Sequence, residues 1–235
     1  DANTVLFLHG DEIPGSTSIK DSSLSGYTAT ASGDAKIRGF GKIGNSMYFD
    51  GSIDYLDYFD LGESSKSALK FLHGAEDQTG FKWTIDFWIK SDGGGNGGVF
   101  SAITGGPDPG IQISNFKSGA NPSFIVYPNL IAQTISSEVF PNDNNWHYGV
   151  VTYDHSLPSD NGIVYLDGRR VGSGTKTGTT PSTANTSHTY KIGRADTAMQ
   201  QGYIDEFRII KGVVLTPDKI RQAYEYGLRA HQITI

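Results

Sequence analysis

The sequence predicts an all-β fold, a sandwich or a barrel, with one short helix near the C-terminus. Strand-forming runs recur about every 8–12 residues, separated by Gly, Pro, Asn and Asp, which is typical of sandwiches and barrels rather than βαβ units. The segment 81–90 alternates between two faces with the period of a strand. The dipeptide Asp167-Gly168 stands between two β-rich runs, which is a strong hairpin signal.

The hairpin lies in the stretch 145–172, NWHYGVVTYDHSLPSDNGIVYLDGRRVG. A mostly apolar run, Trp146 to Tyr153, predicts one strand, and a loop rich in Ser, Pro, Asp and Asn follows it. Residues 163–166 and 169–171 then flank Asp167-Gly168. A type I′ turn needs positive φ at both central residues, and Asp-Gly satisfies that requirement.

The segment 81–90, FKWTIDFWIK, predicts a strand with two distinct faces. One face carries Trp83, Ile85, Phe87 and Ile89, and the other carries Thr84, Asp86, Trp88 and Lys90. Other strands are expected at 5–8, 27–31, 35–38, 46–49, 55–59, 99–104, 111–114, 124–127, 131–136, 190–193 and 202–211.

A helix is expected after the last strand. Thr216 is suited to its N-cap, Pro217 to its first position, and Gly227 to the position just past its end. Its buried stripe would consist of Ile220, Ala223 and Tyr224. Neither an internal repeat nor a linker is evident, so the sequence predicts a single domain over residues 1–235.

Composition excludes several classes of function. The net charge is −6, which argues against a nucleic-acid partner, since a phosphate backbone requires a basic face. The chain has no cysteine and therefore neither a disulfide framework nor a Cys-ligated zinc site. No apolar stretch approaches the roughly 18 residues of a membrane span, and the N-terminal residues do not read as a signal peptide.

Four segments, in order, carry a resemblance to a known family. They are SMYFDG at 46–51, FKWTIDFWIK at 81–90, the stretch 146–172, and 192–210 with the following LTPDKI. Together they resemble laminin G-like, concanavalin A-like jelly-roll domains of the kind found in bacterial and phage surface or tail proteins. The resemblance implies an antiparallel two-sheet β-sandwich (jelly roll) with ligand sites on a concave face or at the rim. The fold alone does not fix the function.

The resemblance also implies a structural calcium between the N-terminal segment and the penultimate strand. Asp11 and Asp205 match those positions, and nearby carbonyls such as that of Gly51 could complete the oxygen shell. Strand alternation places Asp205 on the face of Phe207 and Ile209, where a carboxylate needs a partner or a metal. The alternative is that Asp205 caps a turn or pairs with an arginine.

Glycan-cleaving members of the fold use two carboxylates that alternate on one strand. By segment order that strand is 110–115, where Gln112 and Ser114 stand in place of the carboxylates. The six histidines are scattered, and His147 is better explained by local hydrogen bonding than as a base. Recognisable catalytic motifs are missing as well, so no catalytic residue is assigned.

Sugar sites combine an aromatic platform with polar side chains. On the polar face of 81–90, Asp86, Trp88 and Lys90 line up, and a Trp turned away from the apolar face suggests a ligand. The corresponding face of a later strand would add Gln112 and Ser114, and Tyr127 is a further candidate. The alternative is that loops or the helix cover Trp88.

The sequence therefore predicts a non-catalytic carbohydrate-binding module that recognises a glycan or cell-surface polysaccharide. The expected setting is extracellular, cell-surface or virion-associated, with further protein partners if the domain belongs to a larger assembly. Two alternatives remain open. One is a structural or assembly (decoration) domain that contacts protein. The other, a divergent glycan-cleaving enzyme, would need a carboxylate pair, to which only Asp86 is placed to contribute.

Overall fold

The computed structural model describes residues 2–51, 57–63, 69–73, 81–91, 97–102, 110–114, 123–127, 133–136, 143–175, 189–195 and 198–230. In chain order the strands are β1 (Thr4–Leu8), β2 (Ser18–Lys20), β3 (Thr28–Ser32), β4 (Lys36–Arg38), β5 (Ser46–Asp50), β6 (Tyr58–Glu63), β7 (Lys82–Ser91), β8 (Gly98–Ser101), β9 (Gly110–Ser114), β10 (Ser123–Tyr127), β11 (Gln133–Ser136), β12 (His147–Asp154), β13 (Gly162–Leu166), β14 (Arg169–Gly174), β15 (Thr189–Ile192), β16 (Arg194–Ala195), β17 (Ala198–Met199) and β18 (Gln201–Lys211). A short 3₁₀ helix, Lys70–His73, follows β6, and the helix α1, Pro217–Ala230, follows β18.

These strands form two antiparallel sheets that stack as a β-sandwich. The first sheet has the order β14-β13-β12-β7-β18-β5-β4, and β1 also pairs with β18. The second sheet has the order β11-β10-β9-β8-β15-β6-β3-β2, and a separate ribbon joins β16 to β17. The predicted all-β, two-sheet architecture with a short C-terminal helix is confirmed.

The core lies between the two sheets and is rich in aromatic rings. The four apolar residues of β7 that were predicted to share a face are all fully buried in it: Trp83, Ile85, Phe87 and Ile89. From β18, Phe207 stacks on Phe87 with ring centroids 6.1 Å apart. It also meets Phe100 of the opposite sheet at 5.4 Å, which joins the two layers.

The predicted hairpin joins β13 to β14 through Asp167 and Gly168. Their φ angles are +50° and +77°, as a type I′ turn requires. The carboxylate of Asp167 accepts a hydrogen bond from the backbone N–H of Tyr148 at 2.9 Å. The same carboxylate lies 2.7 Å from Nδ1 of His147, so this histidine is held locally, at the start of β12.

Helix α1 covers the outer face of the first sheet. Thr216 accepts the N–H of Lys219 on its hydroxyl at 3.4 Å, which is the predicted N-cap. Ile220 is fully buried, and Ala223 and Tyr224 pack beside it. The prediction that the helix stops before Gly227 is wrong. The helix continues to Ala230, and Gly227 is buried within it. Because glycine has no side chain, the helix can lie close to Trp88 of the sheet at this position.

A β-bulge interrupts β18 at Glu206, whose φ is +51°. Asp205 pairs with Trp88 and Arg208 pairs with Asp86, so two residues of β18 oppose one residue of β7, and β18 carries one extra residue. Directly paired residues share a face, which places Asp205 on the outer face with Trp88. The prediction that Asp205 faces the core beside Phe207 is therefore wrong, because simple alternation fails across the bulge.

Candidate functional site

The residues predicted to form one ligand site lie on two opposite surfaces. Asp86, Trp88 and Lys90 belong to β7 of the first sheet, whereas Gln112 and Ser114 belong to β9 of the second. Each set faces away from the core, so the sandwich separates them. The structure thus corrects the expectation of a single surface, since sheet membership cannot be derived from the faces of individual strands. Tyr127 ends β10, opposite Gly110, and its side chain lies outside the described residues.

Trp88 is buried beneath α1, with 3% of its surface exposed. Its ring stacks on Tyr224 of the helix at 5.8 Å and lies 5.2 Å from the ring of Tyr148. The ammonium of Lys42 stands 4.6 Å from the Trp88 ring centroid. The alternative considered from sequence, a Trp covered by the helix, describes its position, so the ring is not an open platform for a sugar.

Asp86 forms a two-point ion pair with Arg208 on the same outer face. Its Oδ2 lies 2.8 Å from Nη2 and 3.0 Å from Nε of Arg208. Burial raises the pKa of the Asp86 carboxyl, and the charge of Arg208 opposes that rise. The third predicted residue of this face, Lys90, is half-buried, with its ammonium 5.9 Å from the ring of Tyr203.

A polar row crosses the outer face of the second sheet. Neighbouring strands pair Thr30 with Asp60, Asp60 with Lys191, Lys191 with Ser101, and Ser101 with Gln112. Since directly opposite residues share a face, the five side chains form one line over five strands. Their neighbours in sequence, such as Phe59 and Phe100, point into the core.

The open part of this face is a groove of about 420 Å³, here called the sheet groove. Its polar lining comes from β3 and β6 and consists of Thr28, Thr30, Ser32, Tyr58 and Asp60. The ring of Tyr58 lies 5.2 Å from the ammonium of Lys191 and 5.6 Å from the guanidinium carbon of Arg194. The groove therefore offers an aromatic ring, hydroxyl groups and charges of both signs within one strip.

The β16–β17 ribbon closes the other end of the row. Gln112 donates from Nε2 to the carbonyl of Ala195 at 3.4 Å, so this predicted ligand residue is held against the ribbon. Ser114 is 2% exposed. Ser101 is buried in the row, and its Oγ has no hydrogen-bond partner within the described chain. The accessible polar surface thus lies over β3, β6 and β15 rather than over β9.

Sequence reasoning did not single out Tyr58 and Asp60, although a signal was present. In Tyr58-Phe59-Asp60-Leu61 two residues with polar groups, Tyr58 and Asp60, alternate with two buried apolar residues. Thr28 and Thr30 alternate with Ala29 and Ala31 in the same way. What the sequence lacked was the adjacency of these strands, which are separated by more than 25 residues.

A family model described as the concanavalin A-like lectin/glucanases superfamily matches residues 62–221. The chain belongs to this superfamily. The match runs from the end of β6 into α1 and confirms the resemblance seen in the sequence. No curated protein sequence matches the chain. Within the described residues, no helix has the length and apolar character needed to cross a membrane.

Several solved structures with the same fold align with nearly all of this chain. Domain 4 of AbnA, a GH43 extracellular arabinanase from Geobacillus stearothermophilus, was solved with arabinotriose; it is 18% identical, with a TM-score of 0.67 over 94% of this chain and 97% of that one. The binding domain of botulinum neurotoxin DC in complex with SialylT is 15% identical, with a TM-score of 0.66 over 96% of this chain and 52% of that one. The binding domain of Paraclostridial Mosquitocidal Protein 1 is 15% identical, with a TM-score of 0.68 over 95% and 52%. This chain spans about half the length of the toxin binding domains, and at these identities the likeness concerns the fold.

The carboxylate of Asp205, one of the expected calcium ligands, is hydrogen-bonded to backbone N–H groups. Asp205 is fully buried, and its carboxylate accepts the backbone N–H groups of Ile43 at 3.0 Å and Glu206 at 2.9 Å. Burial raises the pKa of Asp205 well above its usual range. The N–H donors of the 42–43 backbone thus already occupy this carboxylate, as in the turn-capping alternative.

Asp11 contacts the same loop as Asp205, whereas Gly51 lies farther along β5. Asp11 is exposed and accepts the N–H of Asn45 at 3.0 Å, so it holds the other end of the same loop. Ile204 pairs with Met47, whereas Gly51 follows the pair Asp50–Gln201. At ~3.3 Å per residue this places Gly51 about 15 Å from Asp205 along β5. Gly51 therefore does not share an oxygen shell with Asp205, and calcium binding stays a prediction.

A different group of possible metal ligands forms near Asp11. Each of the residues His9, Asp11 and Glu206 offers one ligand atom, and these three atoms lie within 4.8 Å of one another. His9 Nδ1 is 2.9 Å from Oε1 of Glu206, and this hydrogen bond raises the pKa of His9. Calcium favours carboxylate and carbonyl oxygens, and an imidazole that is already hydrogen-bonded to Glu206 is a poor addition to such a shell.

Proposed function

We propose that the chain is a non-catalytic carbohydrate-binding module whose glycan lies in the sheet groove. The observation that carries the proposal is Tyr58, an aromatic ring set on an otherwise polar strip between Asp60, Lys191 and Arg194. A sugar has an apolar face that packs on such a ring, while its hydroxyls donate to carboxylates and accept from hydroxyls and cations.

The dimensions of the groove favour a short segment of a glycan chain. The groove lies over β3 and β6, and Lys191 of the neighbouring strand β15 pairs with Asp60 at its edge. At ~4.8 Å between strands, the distance from β3 to β15 is about 10 Å. Hydroxyl groups from Thr28 and Thr30 line one side, and Lys191 stands at the other. A ligand that crosses the strands would contact all three, so affinity should rise with chain length.

Two features support a binding role rather than a cleaving one. Gln112 and Ser114 hold the two outward positions of β9, where the glycan-cleaving members of the fold carry carboxylates. The cleavage mechanism needs one carboxylate as the nucleophile and a second carboxyl group as the general acid, and Gln112 and Ser114 supply neither. Asp86, which was considered as a contributor to a divergent enzyme, lies on the other outer face and is committed to Arg208.

Structural neighbours support the same class of role and setting. One is described as a domain of an extracellular arabinanase bound to arabinotriose, and another as a toxin binding domain bound to SialylT. We infer an extracellular, cell-surface or virion-associated setting for this chain, with a glycan or surface polysaccharide as its partner. Protein partners within a larger assembly belong to the same proposal.

The decisive experiment compares Tyr58→Ala with Tyr48→Ala. Both tyrosines are half-buried on an outer sheet face beside an arginine, but Tyr48 lies on the first sheet, with Arg38 3.6 Å from its ring centroid. A glycan array would identify a ligand, and calorimetry would measure its affinity. We expect Tyr58→Ala to weaken binding by about tenfold or more and Tyr48→Ala to leave it unchanged, since loss of a stacking ring costs of order 1–3 kcal/mol. Equal affinity of both variants would place the ligand elsewhere.

A second candidate, a structural domain that contacts protein, is favoured by three exposed apolar side chains. Ile13, Leu24 and Phe40 are 80%, 88% and 89% exposed. Phe40 also has a φ of +71°, which is costly for a bulky residue. A blank glycan array together with concentration-dependent association that Phe40→Ser abolishes would favour this role. A monomer at all concentrations would count against association through Phe40.

A further inference from the structure

A second concave site lies on the opposite side of the sandwich, between α1 and the outer face of the first sheet. Its volume is about 210 Å³, smaller than the roughly 300–1,000 Å³ typical of sites for drug-sized ligands. Tyr226 of α1 lines it and is 72% exposed, so the cavity opens to solvent beside this side chain. The size suits one ring-sized ligand rather than a chain.

Hydrogen-bonding groups converge at the cavity floor. Asp86 and Arg208 are joined there at 2.8 Å, and the hydroxyl of Tyr148 hydrogen-bonds to both. The Asp86 side chain is 5% exposed and that of Arg208 is 28% exposed, so the guanidinium is the more accessible of the two. The pair holds a strong acceptor and a planar set of donors in fixed positions.

The charged side chains that line the cavity are already paired. Arg208 is matched by Asp86, and Glu206 lies 2.9 Å from His9. A charged ligand would have to be desolvated without gaining a free counter-charge from these groups, which is unfavourable. A neutral ligand with several hydroxyl groups would meet both donors and acceptors without that cost.

The walls are apolar. Phe7, the edge of Trp88 and Tyr226 surround the polar floor, and Ala223 leaves room on the helix side. Aromatic walls above a small set of directed polar groups suit a ring with one polar edge and one C–H-bearing face. The bulge at Glu206 is what brings Arg208 into register with Asp86 on this face.

We propose that this cavity binds a single neutral sugar residue, such as the free end of a glycan chain. The proposal rests on the carbohydrate-binding function proposed above and adds a second, smaller site to it. The sheet groove would hold a segment of chain, and the cavity would accept only a terminal residue because its volume suits one ring. Binding at the cavity should therefore be competed by free monosaccharides.

Nuclear magnetic resonance of the indole N–H groups tests the proposal on the full chain. The probes are glucose, galactose, mannose and N-acetylglucosamine at millimolar concentration, with glucuronate as a charged comparison. We expect at least one neutral sugar to shift the Trp88 signal, assigned with Trp88→Phe, and to leave the core residue Trp83 unmoved. Glucuronate should bind more weakly. The absence of any Trp88 shift across the neutral panel would overturn the proposal.

A matched pair of helix variants locates the binding. Ala223 lines the cavity and its neighbour Gln222 is exposed, so Ala223→Met fills the site while Gln222→Met does not. We expect Ala223→Met to weaken monosaccharide binding by about tenfold, because the longer side chain occupies the space of the sugar ring. Unchanged affinity would overturn the proposal. Should Ala223→Met fail to fold, Tyr226→Ala removes an exposed wall, and here too an unchanged affinity would overturn it.

The variant Tyr58→Ala distinguishes binding in the sheet groove from binding in the cavity. This variant should lose binding of longer glycans in the sheet groove and retain monosaccharide binding at the cavity. If it loses both, the monosaccharide binds in the groove and the cavity proposal is wrong. If it retains both, the groove proposal fails while the cavity remains supported by the helix variants.

Discussion

Gly227 of α1 lies directly against the indole of Trp88. A Cβ atom at position 227 would stand 2.3 Å from Cζ2 and 3.0 Å from Nε1 of that ring. The helix can approach the sheet this closely only because the residue has no side chain. The contact buries Trp88 and at the same time fixes α1 above Asp86 and Arg208.

Gly227→Ala should therefore destabilise the protein. In an exposed helix the same change stabilises by ~1 kcal/mol. Here the clash with a buried ring reverses the sign, and we expect the free energy of unfolding in urea to fall by about 1–3 kcal/mol. Gln222→Ala, on the exposed side of the same helix, should change it by less than about 0.5 kcal/mol. A more stable Gly227→Ala variant would contradict the packing described.

His147 should make stability depend on pH. Burial lowers its pKa, but hydrogen bonds to Asp167 and Asp143 outweigh burial and leave the pKa raised. Its stabilisation is then complete below the unfolded-state pKa of about 6.5 and is lost as pH rises through the folded-state value. Urea titrations should show a smaller loss with rising pH in His147→Gln than in the parent. The His9→Gln variant should keep the part of this loss that is due to His147. A parent protein whose free energy of unfolding does not change above pH ~6.5 would contradict the prediction.

Asp57 should oppose stability at neutral pH. Burial, with a hydrogen bond to Asp50, raises its pKa to about 6. A carboxyl with a raised pKa favours the folded state below its unfolded-state value of about 3.9, and that contribution is lost as pH rises through about 6. Asp57→Asn keeps an acceptor for the N–H of Asp34, which lies 2.7 Å away. We expect the variant to be more stable than the parent at pH ~8 by of order 1 kcal/mol, with the gain vanishing near pH ~4.

Metal removal tests the calcium prediction. If calcium is bound in the folded state, EDTA lowers the melting temperature and added calcium restores it, because a ligand specific to the folded state stabilises it by mass action. Asp11→Asn, an exposed change, should then abolish the response to calcium. A melting temperature that EDTA leaves unmoved would remove the prediction.

Local signals in the sequence predicted local structure well. The faces of β7, the positive φ values at Asp167 and Gly168, and the cap at Thr216 each depend on a few neighbouring residues. The site could not be predicted in the same way. Which polar faces adjoin depends on sheet order, so Gln112 was grouped with Asp86 although they belong to different sheets.

The bulge was the other feature beyond the reach of the sequence. Bulges with a residue at positive φ usually place Gly there, whereas this one has Glu206. Nothing in Ile204-Asp205-Glu206-Phe207 signals a change of register, so alternation was carried through it. The error moved Asp205 to the wrong face and hid the pairing of Arg208 with Asp86.

The bulge divides β18 into two segments in which the inward-facing residues alternate in different registers. Ile204 points inward before the bulge, and Phe207 and Ile209 point inward after it. Deleting the residue at position 206 would give the whole strand one register and would turn the inward-facing side chains of one segment outward. Substitutions at Glu206 would leave the register unchanged. In this strand, a change in length is therefore far more damaging than a change in chemistry.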